Sequence, residues 1–258
     1  MLGAIIGDII GSAYEFHNIK TKDFPLFCEK SCFTDDTILT CATANWIMTG
    51  GSPDTFLKKW GNLYLNRSYE NGLIAPFGKG FTNWLKTGVS YHAHTNGCVM
   101  RLSPLFKLTH MDDAMKKALE ITYPTHHHGE SINAVCAYIE TGFMLKNNVP
   151  IPKIKQYIGD KYWYNLMRPI DVIRKDYNKF YCSCEKTVPE AIICALDAYS
   201  YEDAIRNAVS LGGDSDTLAC MAGGLSEIRF PIPKKIQTQA RHFMDKNVLN
   251  IINQFYHS

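Results

Sequence analysis

Glycine recurs at every fourth position in the most apolar segment of this chain, GAIIGDIIGSAYEF. On a helix, Gly3, Gly7 and Gly11 would form one smooth stripe, with isoleucines filling the other faces. Each glycine costs a helix about 1 kcal/mol relative to alanine, so the stripe needs a compensating contact. The backbone of a second helix or a bound ligand would supply one, and the spacing favours neither over the other.

Helical patterns continue along the rest of the chain. A helix capped by Thr34 is expected to run to Met48, and another to start at Asp54. The segment TVPEAIICALDAY predicts a helix capped by Thr187, with Pro189 in its first turn. Further helices are predicted over 112–122, 130–146, 153–161, 201–210, 216–228 and 233–255. Strand patterns are nearly absent and no linker divides the chain, so we predict an all-α fold with residues 1–258 as a single domain.

Two stretches are predicted to be irregular. Residues 70–103 contain scattered glycines and aromatic residues, with a short helix expected over 81–86. A second loop, which contains Pro169, is expected to run to Lys186. Long loops in compact domains are usually functional, so both are candidates to line a site.

Composition excludes several classes of protein. The 27 basic and 25 acidic side chains leave a net charge of +2, so we expect no nucleic-acid partner, and any bound anion must be held by local geometry. No apolar run approaches the roughly 20 residues that cross a membrane. Met1 to Ser12 has no basic start and Asp8 interrupts its apolar run, so we expect no secretory signal.

The nine cysteines are interpreted as reduced thiols of a cytoplasmic protein. A four-thiolate zinc site is one alternative, although the cysteine spacings are not those of common zinc sites. That site would use Cys28, Cys32, Cys182 and Cys184.

Two acidic clusters stand at probable helix starts, in the segments Thr34-Asp35-Asp36-Thr37 and Asp214-Ser215-Asp216-Thr217. Each offers two carboxylates and a hydroxyl, a set of oxygen donors that suits Mg²⁺ or Mn²⁺ better than zinc or copper. The simpler alternative is that each aspartate pair only complements a helix dipole.

The second cluster also resembles two other motifs. An EF-hand loop starting at Asp214 would need glycine where Ala219 stands and glutamate where Leu225 stands. The order Asp-Ser-Asp-Thr also echoes the nucleophile loop of haloacid-dehalogenase-type phosphatases. Such a loop would have to follow an apolar strand and open an α/β domain, which the helical pattern does not predict.

Taken in order, five motifs resemble the ADP-ribosylglycohydrolase family nearly end to end. They are GAIIGDIIGSAYEF, FTDDT, TNGCVMRLSP, the pair Thr125-His126, and GGDSDT. The resemblance implies a compact orthogonal helical bundle with a centre of two divalent cations, Mg²⁺ or Mn²⁺. The metal ligands that it implies are Thr34, Asp35, Asp36, Asp214, Asp216 and Thr217.

The resemblance also implies the remaining site residues. Glu15 would lie beside the scissile bond, with Asp35 or Asp36 assisting the attacking water. Contacts to the ADP-ribose would come from Asn96, Gly97, Cys98, Val99, Met100 and His126. Cys98 departs from the small residue expected there, so phosphate contact would depend on the backbone. Of the consecutive His126, His127 and His128, at most one is expected to face the cleft.

The activity implied is metal-dependent hydrolysis of the bond between C1″ of ADP-ribose and an arginine or serine side chain of a protein, releasing ADP-ribose. Two alternatives remain at this point. One is hydrolysis of free ADP-ribose derivatives such as O-acetyl-ADP-ribose, and the other is a non-catalytic ADP-ribose-binding relative. The expected partner is therefore an ADP-ribosylated protein or a small molecule that contains ADP-ribose.

Overall fold

The computed structural model describes residues 1–67 and 76–257. Within these ranges all regular structure is helical, and the β pairing is limited to one isolated bridge between Thr95 and Ser183. The α-helices are α1 (Leu2–Ser12), α2 (Asp35–Thr49), α3 (Pro53–Tyr64), α4 (Lys79–Thr87), α5 (Met111–Thr122), α6 (Gly129–Lys146), α7 (Ile151–Tyr162), α8 (Ile170–Asp176), α9 (Cys184–Leu196), α10 (Tyr201–Leu211), α11 (Ser215–Arg229), α12 (Lys234–Arg241) and α13 (Lys246–His257). The predicted all-α fold is confirmed.

The glycine stripe of α1 packs against the backbone of another helix. A β-carbon at Gly7 would lie 2.1 Å from the carbonyl oxygen of Ala219, and one at Gly3 would lie 2.5 Å from that of Gly223. Because residue numbers fall along α11 as they rise along α1, the two helices are antiparallel. Every residue of α1 is buried. The helix–helix alternative is therefore the one realised, and α1 forms the centre of the fold.

The other helices surround this pair. α11 also contacts α9, α10 and α6, while α2 lies between α3 and α13 and touches the end of α1. The hydrophobic core extends from Met1 to Phe255. None of the helices in the described ranges has the length and apolarity needed to cross a lipid bilayer.

The predicted start of one helix is wrong, and one predicted loop contains a helix. α9 begins at Cys184, so Thr187 lies inside it and donates its hydroxyl to the carbonyl of Ser183 at 2.9 Å instead of capping. The segment before α9 is held by tertiary pairing, because the amide of Cys184 donates to the carbonyl of His94 at 3.0 Å. The predicted loop that contains Pro169 and runs to Lys186 also includes α8.

The helix predicted over 233–255 is divided into α12 and α13. The side chain of Asp245 accepts hydrogen bonds from the amides of Asn247 and Val248, both at 3.0 Å, and so caps α13. In the first irregular stretch, α4 extends the short helix predicted over 81–86, whereas residues 70–75 lie outside the described ranges.

Candidate active site

Asp8 carries a carboxylate into the centre of the fold on α1. It is fully buried and accepts hydrogen bonds from the amides of Thr34 (2.9 Å) and Thr37 (3.0 Å) and from their hydroxyls (2.8 and 2.5 Å). Burial raises the pKa of Asp8 to about 6, although these hydrogen bonds oppose the rise. Sequence reasoning used Asp8 only as a break in an apolar run. The signal that it belongs to a site was a carboxylate within a helix otherwise built for burial.

The N-terminus of α2 presents the first acidic cluster. Thr34 is the N-cap, and its hydroxyl accepts a hydrogen bond from the amide of Asp36 at 3.3 Å, as predicted. Asp36 is buried, and its Oδ2 accepts a hydrogen bond from the hydroxyl of Thr217 at 3.2 Å. This bond joins the two acidic clusters, which are far apart in the sequence.

The second cluster stands where α10 turns into α11. Gly212 and Gly213 both have positive φ angles (77° and 69°), a conformation that glycine adopts without steric cost. The turn places Asp214 at the N-cap of α11 and Asp216 in its first turn. The side-chain amide of Asn96 donates to Asp214 Oδ2 at 2.7 Å, so the loop of the third motif contacts this cluster directly.

Two groups of carboxylates could hold cations. One is Asp8, Asp36 and Asp216, and the other is Glu15, Asp214 and Asp216; within each group the ligand oxygens lie within 4.8 Å of one another. Asp216 belongs to both groups. Asp36 Oδ1 is buried without a hydrogen-bond partner, an unusual state for a carboxylate oxygen. The donor set therefore fits hard divalent cations.

Crowding changes the acidity of these groups. Burial raises the pKa of Asp35 and that of Glu15 to about 8, and neighbouring carboxylates, Asp214 among them, add to both shifts. Burial and like charges also raise the pKa of Asp36 and that of Asp216 well above the usual range. A bound cation would favour the ionised forms and so relieve this arrangement.

A cavity of about 690 Å³ opens over the carboxylates, a volume within the range of small-molecule sites. Its lining includes most of the residues that the sequence singled out. They are Glu15, Thr34, Asp35, Asp36, Asn96, Gly97, Met100, His126, Asp214, Asp216 and Thr217. The structure thus brings residues from both halves of the chain to one cleft.

Two expected binding residues do not reach the cleft. Cys98 and Val99 are fully buried and lie outside its lining. The amide of Val99 donates to the carbonyl of Asn96 at 2.8 Å, so it is already used within the 3-10 turn. The expectation that these two residues contact a ligand is therefore not supported by the structure, because this turn points them into the core.

His126 is the histidine of its triplet that lines the cleft, while His127 and His128 are exposed. Its Nε2 lies 3.1 Å from the hydroxyl of Thr95. Burial, helped by the charge of Arg101, holds the pKa of His126 well below its usual value. His126 is therefore a neutral hydrogen-bonding group.

Arg101, a residue of the third motif to which the sequence assigned no role, also lines the cleft. It is fully buried and donates to the carbonyl of Ile121 (3.1 Å) and to the hydroxyl of Thr125 (2.9 Å). These bonds join the loop of the third motif to the Thr125-His126 pair. Arg101 therefore ties together two segments that line the cleft.

Two alternatives from the sequence fail. In the part of the chain that the structure describes, the possible metal-ligand groups consist of carboxylates alone, which does not support a thiolate zinc site. The phosphatase alternative needs a strand before Asp214, but α10 precedes it.

Comparison with known proteins agrees with this geometry. A family model described as ADP-ribosylglycohydrolase matches residues 1–226, a range that contains both acidic clusters and the cleft residues. The chain belongs to the ADP-ribosylglycohydrolase family. Membership makes it a glycohydrolase at the level of the family, and such proteins are generally metal-dependent.

The fold is shared with a solved structure titled "ADP-ribosylglycohydrolase-related protein complex". The TM-score is 0.68 and the sequence identity 17%, with 98% of this chain and 96% of that chain covered. No curated protein matches the sequence. The family assignment therefore comes from the family model, and the solved structure supports the fold.

Proposed function

We propose that this protein hydrolyses the bond between C1″ of ADP-ribose and an arginine or serine side chain of a modified protein, releasing ADP-ribose. The observation that carries the proposal is the pair of carboxylate groups that share Asp216 at the floor of the cleft. Oxygen donors alone, without sulfur or imidazole, favour Mg²⁺ or Mn²⁺, and two groups with one common member suit two cations.

We assign the cations to six residues of the two acidic clusters, with Asp8 added from α1 because its oxygen lies in the first group. The six are Thr34, Asp35, Asp36, Asp214, Asp216 and Thr217. Bound there, divalent cations would supply Lewis acidity and positive charge. Asn96 would hold Asp214 in position through its 2.7 Å hydrogen bond.

The bond change itself needs a nucleophile and a proton path. An oxygen of water attacks C1″ as the bond from C1″ to the side-chain nitrogen or oxygen breaks. Positive charge develops on the sugar during this step, as in other glycoside cleavages, and the surrounding carboxylates stabilise it. Asp35 or Asp36 accepts the proton from the water, and Glu15 supports departure of the side chain by donating one. The products are ADP-ribose and the unmodified side chain.

The ADP-ribose moiety is assigned to the wall formed by Asn96, Gly97, Met100 and His126. The single domain over 1–258 stays a prediction, supported by a core that extends from Met1 to Phe255. A cytoplasmic location is likewise proposed, and the free state of all nine cysteines agrees with it.

The test is release of ADP-ribose from two peptides, one modified on arginine and one on serine, with Mg²⁺, Mn²⁺ or EDTA. Asp36→Asn removes one charge while keeping the side-chain shape, and Asp112→Asn, on the exposed first turn of α5, is the matched control. We expect metal-dependent release that Asp36→Asn abolishes and Asp112→Asn preserves. Tight binding of ADP-ribose without release from either peptide would reject the proposal in favour of a small-molecule substrate or a binding protein.

A further inference from the structure

Two exposed phenyl rings stand together at the mouth of the cleft. Phe16 and Phe180 are 59% and 51% exposed, their centroids are 6.1 Å apart and their planes are parallel within 2°. Both line the cavity. Large apolar side chains left exposed beside a concave site indicate a contact surface for a ligand.

Phe16 is held beside the second acidic cluster. It follows Glu15 in the turn after α1, and Asn18 fixes this turn. The side-chain amide of Asn18 donates to the carbonyl of Glu15 at 2.8 Å, while its oxygen accepts from the amide of Gly213 at 2.8 Å. The backbone turn that carries Phe16 is therefore anchored to the loop that carries Asp214.

The segment just before Phe180 packs against the same loop. The ring of Tyr177 and the carbonyl of Lys179 pack against Gly213, where an added β-carbon would lie 2.7 Å and 3.2 Å from them. Two residues after Phe180, the carbonyl of Cys182 accepts a hydrogen bond from the amide of Asn96 at 2.8 Å. The segments that carry the two rings are thus in contact with residues that adjoin the candidate metal centre.

The rings themselves determine what can lie against them. Of the five carboxylates in the described lining of the cleft, the four aspartates are assigned to cations and Glu15 is the proton donor of the proposed reaction. Arg101 is the permanent cation in that lining. It is fully buried, its Nη2 donates to Ile121 and Thr125, and its Nε and Nη1 have no hydrogen-bond partner. A planar cation would gain from the faces of the rings, whereas a neutral alkyl ether would gain little from them.

We propose that Phe16 and Phe180 form the binding site for the side chain that carries ADP-ribose, and that they select the guanidinium group of arginine over serine. This inference rests on the proposed function and names its substrate. Guanidinium groups are weakly hydrated and stack readily on aromatic faces. The same chain already contains such a pair, since the guanidinium of Arg67 lies 3.4 Å from the ring centroid of Phe33.

The test compares two substrates in a double variant. Phe16→Leu with Phe180→Leu keeps apolar side chains but removes the ring faces. Because both residues are exposed, we expect the double variant to fold, and thermal unfolding checks this. We expect KM for an ADP-ribosylarginine peptide to rise roughly 5- to 30-fold, as for loss of a cation–π contact, with kcat changed less than about twofold. Hydrolysis of O-acetyl-ADP-ribose, which has no guanidinium, should change less than about twofold.

A binding experiment makes the outcome independent of turnover. Arginine amide and citrulline amide differ in charge but have nearly the same shape, and each is titrated calorimetrically into the protein with ADP-ribose present. We expect arginine amide to bind at least roughly fivefold more tightly, and the double variant to lose that preference. Equal binding of the two amides, or turnover of the serine-linked peptide alone, would overturn the inference while leaving the proposed function standing. Failure to release ADP-ribose from any substrate would instead count against the proposed function.

Discussion

Asn96 donates its side-chain amide to Asp214 across 118 positions of sequence, at a distance of 2.7 Å and with both residues buried. The bond uses one oxygen of the carboxylate and orients the whole group. Asn96 is itself fixed, because its backbone amide donates to the carbonyl of Cys182. The loop of the third motif therefore positions a residue that belongs to one of the two carboxylate groups.

Removing this hydrogen bond should reduce the affinity for cations more than it reduces the free energy of unfolding. Orienting partners of metal ligands typically change metal affinity about 10- to 100-fold, so we expect Asn96→Ala to raise the Mn²⁺ dissociation constant within that range. Titration calorimetry measures the effect. Asn83→Ala, at an exposed position of α4, is the control. An unchanged Mn²⁺ affinity in Asn96→Ala would show that Asp214 needs no such support.

The metal-free protein should lose stability as pH rises. Folding raises the pKa of Asp8 to about 6 and the pKa of Glu15 and that of Asp35 to about 8, so between these values and the ordinary carboxylate range the folded state binds more protons than the unfolded state. Their contribution to stability is complete below pH about 4 and is lost as pH rises through the folded-state pKa values. We expect a lower free energy of unfolding at pH 8 than at pH 5 in EDTA.

Urea unfolding at the two pH values measures this difference. Adding Mg²⁺ or Mn²⁺ at pH 8 should restore stability, because cations bind the ionised carboxylates of the folded state. Asp36→Asn removes one of the interacting charges and should flatten the dependence on pH. A metal-free protein that is more stable at pH 8 than at pH 5 would contradict the electrostatic picture of the site.

The contact between α1 and α11 leaves no room for a side chain at the glycines of α1. A β-carbon at Gly7 would lie 2.1 Å from the backbone oxygen of Ala219, so Gly7→Ala forces the two helices apart. Overpacking of this kind typically costs about 1–3 kcal/mol or more in the free energy of unfolding. Gly129→Ala is the matched control, since nothing lies within 4 Å of an added β-carbon there. Equal stability of the two variants in urea would argue against a tight α1–α11 contact.

Local patterns predicted much of the fold because they depend on neighbouring residues. Thr34 caps α2 through its own hydroxyl, and the glycine stripe predicted that another backbone or a ligand lies close to α1. Thr187 shows the limit of such reasoning. Threonine is a favourable N-cap residue, so the local sequence predicts that α9 begins there. The helix begins instead at Cys184, whose amide donates to the carbonyl of His94.

The candidate site divides in the same way. Sequence alone determined the helical class, because capping and hydrophobic periodicity depend on neighbouring residues. It also singled out the two acidic clusters, because the residues of each cluster are adjacent in the sequence. Only the tertiary structure decided that α11 fills the stripe, that Asp8 joins the carboxylates, and that Cys98 and Val99 turn into the core. It also decided that Phe16 and Phe180 meet. The physical reason is that these outcomes depend on contacts between residues far apart in the chain, which packing creates and local pattern does not encode.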